Sequence, residues 1–356
     1  MGLTSWIERS STGHVHVLMV EAPGHWGTRA AAERFALARG WHLALSPADA
    51  DVLVVCGKPG PQLAGVIERV WEQMPGPRVR VDVHQLGEVG EGLTQARAEL
   101  LDTARHRADA RSRPATPRGL SADDGDHGDM DHGDMDMSPG GIPLAEGGED
   151  RDGLEMDVLN VRLGPVLAHW PAGLVLRCAL QGDVITEAEA ELLDDAIHVE
   201  VPHGVAPRAV TARRVDNVVA LLALSGWDQA AAQARLIRDQ LLEDGEEAAV
   251  SVAIARLVRR LRRSSVLRWS LRGIRPITEA DLRRRGLPAG LVGDTYDRLL
   301  WILDRVETAV DGKPFAVHHL PELITGLDLA TARLVVASLD LHELRADRSE
   351  YEAAHG

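Results

Sequence analysis

Five side chains between His127 and Met137 have the types and spacing of a soft-metal site. His127, Met130, His132, Met135 and Met137 form HxxMxHxxMxM within the near-repeat HGDMDHGDM. Imidazole and thioether together suit ions such as Cu(I), while Asp129, Asp131 and Asp134 add charge that draws harder divalent ions. On that chemistry the stretch is a candidate copper or nickel carrier. A chain that must order itself around an ion binds it less tightly. The same residues also read as incidental members of a solvated spacer.

The surrounding tract, Ser121 to Asp157, holds thirteen acidic side chains and one basic one, so it carries about −12 of the formal −15. So polar a segment buries too little apolar surface to offset the entropy of ordering it, and the expectation is a disordered acidic linker over 113–154. It separates a domain over 1–112 from one over 155–356. A length of 356 residues with 45% hydrophobic content is enough for two cores. No apolar run approaches the ~20 residues of a spanning helix. The opening MGLTSWIERS lacks the features of a signal peptide. The expected location is cytoplasmic, at most peripheral on the inner face of the cell membrane. Cys56 and Cys178 sit in separate apolar runs, and both read as buried small hydrophobes rather than a disulfide.

The first half alternates strand and helix. His14 to Glu21 reads as a strand broken by Pro23, Gly24 and Gly27, and Ala30 to Arg39 as a helix stopped by Gly40. Asp51 to Cys56 is a buried parallel strand feeding GKPGP. Gln62 to Met74 is a helix, and Arg78 to Val83 a further strand. This order specifies an open parallel α/β sheet with right-handed crossovers. Ligands of such sheets sit at the carboxyl ends of the strands, which points to the loops APGHW and GKPGP. Gly57-Lys58-Pro59-Gly60 lacks the spacing of a phosphate loop and reads as a tight turn.

The stretch Ala48 to Val81, with WEQMPGPR at Trp71 to Arg78, resembles the cluster-bearing small subunit of respiratory complex I and nickel-iron (NiFe) hydrogenases. There an "ADVLIVxG" strand leads to a helix ending in "DQMPxPK". The resemblance implies the fold, and in the family a cubane iron–sulfur cluster held by cysteines on the loops after the strands. This chain has Ala22-Pro23-Gly24-His25 and DVHQLGE at those places. Two cysteines cannot supply the four thiolates of such a cluster. No iron–sulfur cofactor is expected, and His25 and His84 do not replace the lost ligands unaided.

The second half opens as a β-meander through Leu174 to Leu180 and Val184, then turns mainly helical, giving an α+β domain. One helix is expected from an N-cap at Thr211 through Leu242, with others over Val250 to Arg263, Asp294 to Val310 and Thr331 to Leu344. Leu159 to Val184 resembles the "MGPQHPSTHGxLRLxLELDGE" hairpin of the family's large, quinone-site subunit. Leu271 to Arg298 resembles its "GIGxLTxEDAxxYGVTGPxLRxxGxxxDxR" stretch. The resemblance implies a fusion of small and large subunits. Of the two histidines near the family's quinone headgroup only His169 has a counterpart, one position out of step, which makes it the candidate quinone contact. Tyr296 and Tyr351 do not fall where the family's quinone-contacting tyrosine would. The Cys-x-x-Cys pairs that hold nickel and iron are absent from the sequence.

Between Arg256 and Arg285 eleven arginines face Glu279 and Asp281 alone. The spacing of Arg256, Arg259, Arg260 and Arg263 is that of one solvated helix face; docking against a protein or the acidic linker is the next reading and lipid or nucleic acid the last, and no nucleic-acid partner is expected. The resulting expectation is a structural or assembly component among the subunits of a membrane-bound oxidoreductase complex, without catalytic residues of its own. The alternatives are a metal-delivery protein and a quinone-dependent subunit.

Overall fold

A computed structural model describes residues 15–113, 146–149, 155–194, 207–243, 245–308 and 315–341. The chain folds as two units, 1–168 with 177–182 and 169–176 with 183–356.

The first unit contains a parallel sheet of order β2-β1-β3-β4, built from β1 (His16–Glu21), β2 (His42–Leu43), β3 (Val52–Cys56) and β4 (Val79–Val83). Residues along β1 and β3 alternate between two cores, as the period of two requires. Val17, Val52, Val54 and Cys56 pack with Ala32 and Ala36 of α1 (Trp26–Ala38) and with Leu93 and Ala96 of α3 (Val89–Leu100). Leu18, Val20, Leu53 and Val55 pack with Leu63, Ile67 and Val70 of α2 (Pro61–Gln73) on the other face. Each of those three α2 side chains contributes about 1.5 to 3 kcal/mol on burial. That outweighs the weak β-branched helix propensity of Ile67 and Val70.

The α1 helix starts at Trp26 rather than Ala30, which shortens the loop after β1 to Ala22-Pro23-Gly24-His25. A fourth helix, α4 (Thr103–Ser112), is capped by Asp102, whose carboxylate accepts from the Ala104 and Arg105 N–H groups at 3.1 Å. It brings Asp109 to Arg78, whose Nε and Nη2 each donate to it at 3.3 Å. Arg78 also donates to the Trp71 and Met74 carbonyls and lies 4.2 Å from the Trp71 ring centre. Burial opposes ionisation of Asp109, but hydrogen bonds from Arg113 and Arg78 outweigh it and hold the carboxyl below its usual range. The residues of the WEQMPGPR motif therefore close on themselves around one buried guanidinium.

The second sheet has the order β5-β6-β7-β8, from β5 (Glu146–Glu149), β6 (Glu155–Leu163), β7 (Leu174–Gln181) and β8 (Val184–Leu192). The stretch expected as linker over 113–154 includes the strand Glu146–Glu149. Glu146–Glu149 pairs antiparallel with β6, since backbone pairing suffices for a polar edge strand.

The helical part comprises α5 (Pro207–Leu224), α6 (Asp228–Leu242), α7 (Glu247–Arg263), α8 (Ser265–Leu271), α9 (Glu279–Arg285), α10 (Thr295–Thr308), α11 (Leu320–Ile324) and α12 (Leu329–Ser338). The single helix expected from Thr211 to Leu242 is two helices, and Thr211 lies inside the first, buried, instead of capping it. The break falls at Gly226, with φ 78°, where the Trp227 N–H closes back on the Leu222 carbonyl at 2.9 Å. Only glycine adopts that left-handed turn cheaply. The two helices fold together over a seam lined by Val215, Val218, Ile237, Leu257, Leu303 and Val306. Arg238, fully buried, reaches Asp216 at 2.6 Å and Asp239 at 2.9 Å. An off-register pairing would leave that charge unpaired, at about 3 to 5 kcal/mol. Among the described residues no helix is long and apolar enough to cross a membrane.

Candidate functional site

Helix α1 covers one face of the parallel sheet and α2 the other, so the chain winds away in opposite directions from between β1 and β3. The carboxyl ends of these strands border the crevice in which an open α/β sheet takes its ligand. Three loops meet there. The Ala22 N–H donates to the Cys56 carbonyl at 2.9 Å, and the Gly57 N–H to the Val83 carbonyl at 2.8 Å. His25 follows β1, Gly57 follows β3, and His84 follows β4.

The His25 ring is packed on Gly57. A Cβ placed on that glycine would stand 2.2 Å from the ring Cγ and 2.3 Å from Cδ2. Gly57 also has φ 92°, so both space and backbone require a residue without a side chain. His84 Nδ1 lies 3.3 Å from the Gly57 carbonyl, which accepts from the tautomer protonated on Nδ1. Its backbone N–H donates to Glu88 at 2.8 Å. Burial, and then the neighbouring His84, push the His25 imidazole below its ordinary pKa.

Below the crevice, Arg29 on α1 bridges Glu21 at the end of β1, at 2.5 Å, and Glu33 one turn on. Cys56 lies among these groups with its thiol pushed up by burial, against the opposing pull of Arg29. It stays protonated at neutral pH and is neither a nucleophile nor a metal ligand in that form. Lys58 is exposed. Helix α2 opens on Pro61 at its first turn, which removes one of the N–H groups an anion would use.

This donor set does not fit the cubane cluster implied by the resemblance. The described side chains at the edge are two imidazoles and one buried, protonated thiol, where the cluster takes four thiolates. Among the described residues no group of three or more His, Cys, Asp or Glu side chains is arranged to hold a metal ion. His127, Met130, His132, Met135 and Met137 lie outside the described residues.

His169 stands in the loop between β6 and β7, half-buried and with φ 59°. Beside it the Trp170 indole donates to the Leu174 carbonyl at 2.7 Å. Tyr296 is buried, and its hydroxyl donates to the Arg262 carbonyl at 3.5 Å. Tyr351 lies outside the described residues.

The stretch Leu271 to Arg298 is organised by Asp294 and Arg298. Asp294 accepts from the Gly273 N–H at 2.8 Å and from the Tyr296 and Asp297 N–H groups at the start of α10. Arg298 is fully buried and donates to the Ser338 hydroxyl, the Thr295 hydroxyl and the carbonyls of Arg275 and Gly293 at 2.8 to 3.1 Å. Burial lowers its pKa to about 10, so it remains charged at neutral pH. The signal available in the sequence was the Asp294-x-x-x-Arg298 spacing of one helical turn. The Glu21, Arg29 and Glu33 cluster was legible only as the Arg29–Glu33 pair.

Fold and edge together define an α/β sheet whose switch point is occupied by its own histidine, in a chain that continues into a helical unit. No protein-family model and no curated protein matches the chain.

Proposed function

We propose that this chain is a non-catalytic, cofactor-depleted structural or assembly component of a complex I-like NADH-quinone oxidoreductase or a membrane-bound NiFe hydrogenase. The observation that carries the reading is the His25 ring against Gly57, at the crevice where the resembling small subunits hold their cluster. Arg78 and Arg298, both within the motifs of the resemblance, support it in a second way. Their donors are committed to carbonyls, hydroxyls and Asp109 of the chain itself. Residues kept for architecture, beside a crevice without thiolates, describe a relative that retains the shape and has lost the redox centre.

The test is elemental analysis and a visible spectrum on untagged protein, followed by native electrophoresis of extracts from cells that make it. The expected result is no stoichiometric iron or nickel, and comigration with a respiratory or hydrogenase complex. Stoichiometric iron with acid-labile sulfide, or migration apart from any such complex, would overturn the reading. Copper or nickel lost on changing both His127 and His132 to alanine would point instead to metal delivery.

A further inference from the structure

From Val250 to Ile277 the sequence holds eight arginines and no aspartate or glutamate. The structure sorts six of them into two sets. Arg260 turns inward to Gln233 at 2.6 Å and lies over the Trp227 ring, Arg262 pairs with Asp304, and Arg268 lies over Tyr296. Arg256, Arg259 and Arg263 are exposed, and no described side chain pairs with them. With Val252, 49% exposed, they recur at intervals of three and four along α7, which places all four on one stripe of that helix.

Helix α8 follows after the single residue Ser264. It buries Leu267 and Leu271 and exposes Val266 at 72% and Trp269 at 83%, with exposed Arg272 one turn on. Both α7 and α8 pack against α10, so their exposed faces point away from it. An indole left almost wholly in water, with an exposed valine one turn before it, has no role in the core. Unpaired arginines beside an amphipathic ring are the composition of a surface that meets anionic headgroups while the ring sinks to the acyl boundary.

We propose that the α7–α8 corner docks the protein onto an anionic phospholipid bilayer, with Arg256, Arg259 and Arg263 on the headgroups and Val266 and Trp269 inserted at the interface. The choice of lipid over nucleic acid rests on Val252 and Val266. Exposed aliphatic groups gain from an acyl boundary and gain nothing from a phosphate backbone. The surface lies apart from the parallel-sheet crevice in sequence and chemistry, and it stands whether or not the proposed partner complex is correct.

Sedimentation of the full chain with vesicles of phosphatidylcholine alone, or with roughly a third phosphatidylglycerol, tests this. Binding is expected only to the anionic vesicles, weakening as salt is raised. The triple variant Arg256→Gln/Arg259→Gln/Arg263→Gln loses roughly a hundredfold in partitioning, three basic residues' worth. Trp269→Ala loses roughly tenfold, the worth of a partly sunk ring. The changed side chains are exposed, and circular dichroism melts matching the parent confirm that any loss is not unfolding. No binding to the anionic vesicles, or binding that the triple variant retains, overturns the proposal. Arginine-dependent binding to duplex DNA in the absence of vesicle binding also overturns it.

Discussion

The ring of His25 rests on the α-carbon of Gly57, the two residues standing at the carboxyl ends of neighbouring parallel strands. Any side chain at 57 would have to displace the imidazole. The relationship places the chain's own imidazole at the crevice of this sheet.

Gly57→Ala is therefore expected to cost about 3 kcal/mol, combining about 1 to 2 for a left-handed backbone with about 1 to 3 for overpacking. In a His25→Ala background the steric part disappears, and the same change costs only the backbone part. Urea unfolding of the four proteins of that cycle measures the coupling. Equal costs in both backgrounds would show that the ring does not rest there.

His25 also sets a pH dependence. Its folded-state pKa is lowered, first by burial and then by His84, so the unfolded chain binds the extra proton more readily. The stability tied to neutral His25 is present above its ordinary value of 6.5 and is lost as pH falls from there through the lowered folded value. His25→Gln flattens this part of the profile, read as the urea midpoint at pH 5 against pH 7.5.

Arg78 makes the WEQMPGPR turn a structural unit. Arg78→Lys keeps the charge but loses the fork that serves Asp109 and the two carbonyls, and about 2 kcal/mol with it. Arg78→Ala leaves the Trp71 and Met74 carbonyls without this donor and Asp109 with Arg113 alone, and costs about 3 to 4 kcal/mol. Thermal melts rank the three proteins. A lysine variant as stable as the parent would remove the geometric reading.

Arg298 is the corresponding residue of the helical unit. Arg298→Met removes donors from the Ser338 and Thr295 hydroxyls and from the Arg275 and Gly293 carbonyls, and is expected to cost about 3 kcal/mol or more. Hydrogen exchange should then rise over the Ile277 and Gly293 bridge, which Arg298 holds through the Gly293 carbonyl, before it rises in α5 and α6.

The alternation of strand and helix through Val83, the buried run Val52 to Cys56 and the burial of both cysteines were legible in the sequence. These follow from the spacing of apolar residues along a few turns or one strand, and local spacing is what a sequence displays. The loops bordering the crevice were legible for the same reason, because strand order implies where strands end. The break at Gly226 was missed, since the helical pattern of apolar residues continues across it. The polar strand Glu146–Glu149 was missed because pairing with β6, rather than its composition, makes it a strand.

The site itself was decided by tertiary structure. His25, Gly57 and His84 are far apart in sequence, and no local pattern ties the ring of one to the α-carbon or carbonyl of another. Which arginines between Arg256 and Arg272 reach Gln233, Asp304 or Tyr296, and which have no described partner, depends on how α7 and α8 lie against α6 and α10. Composition fixed the charge of that stretch. Packing assigned each charge its partner, because a guanidinium pairs with what the fold brings within reach of it.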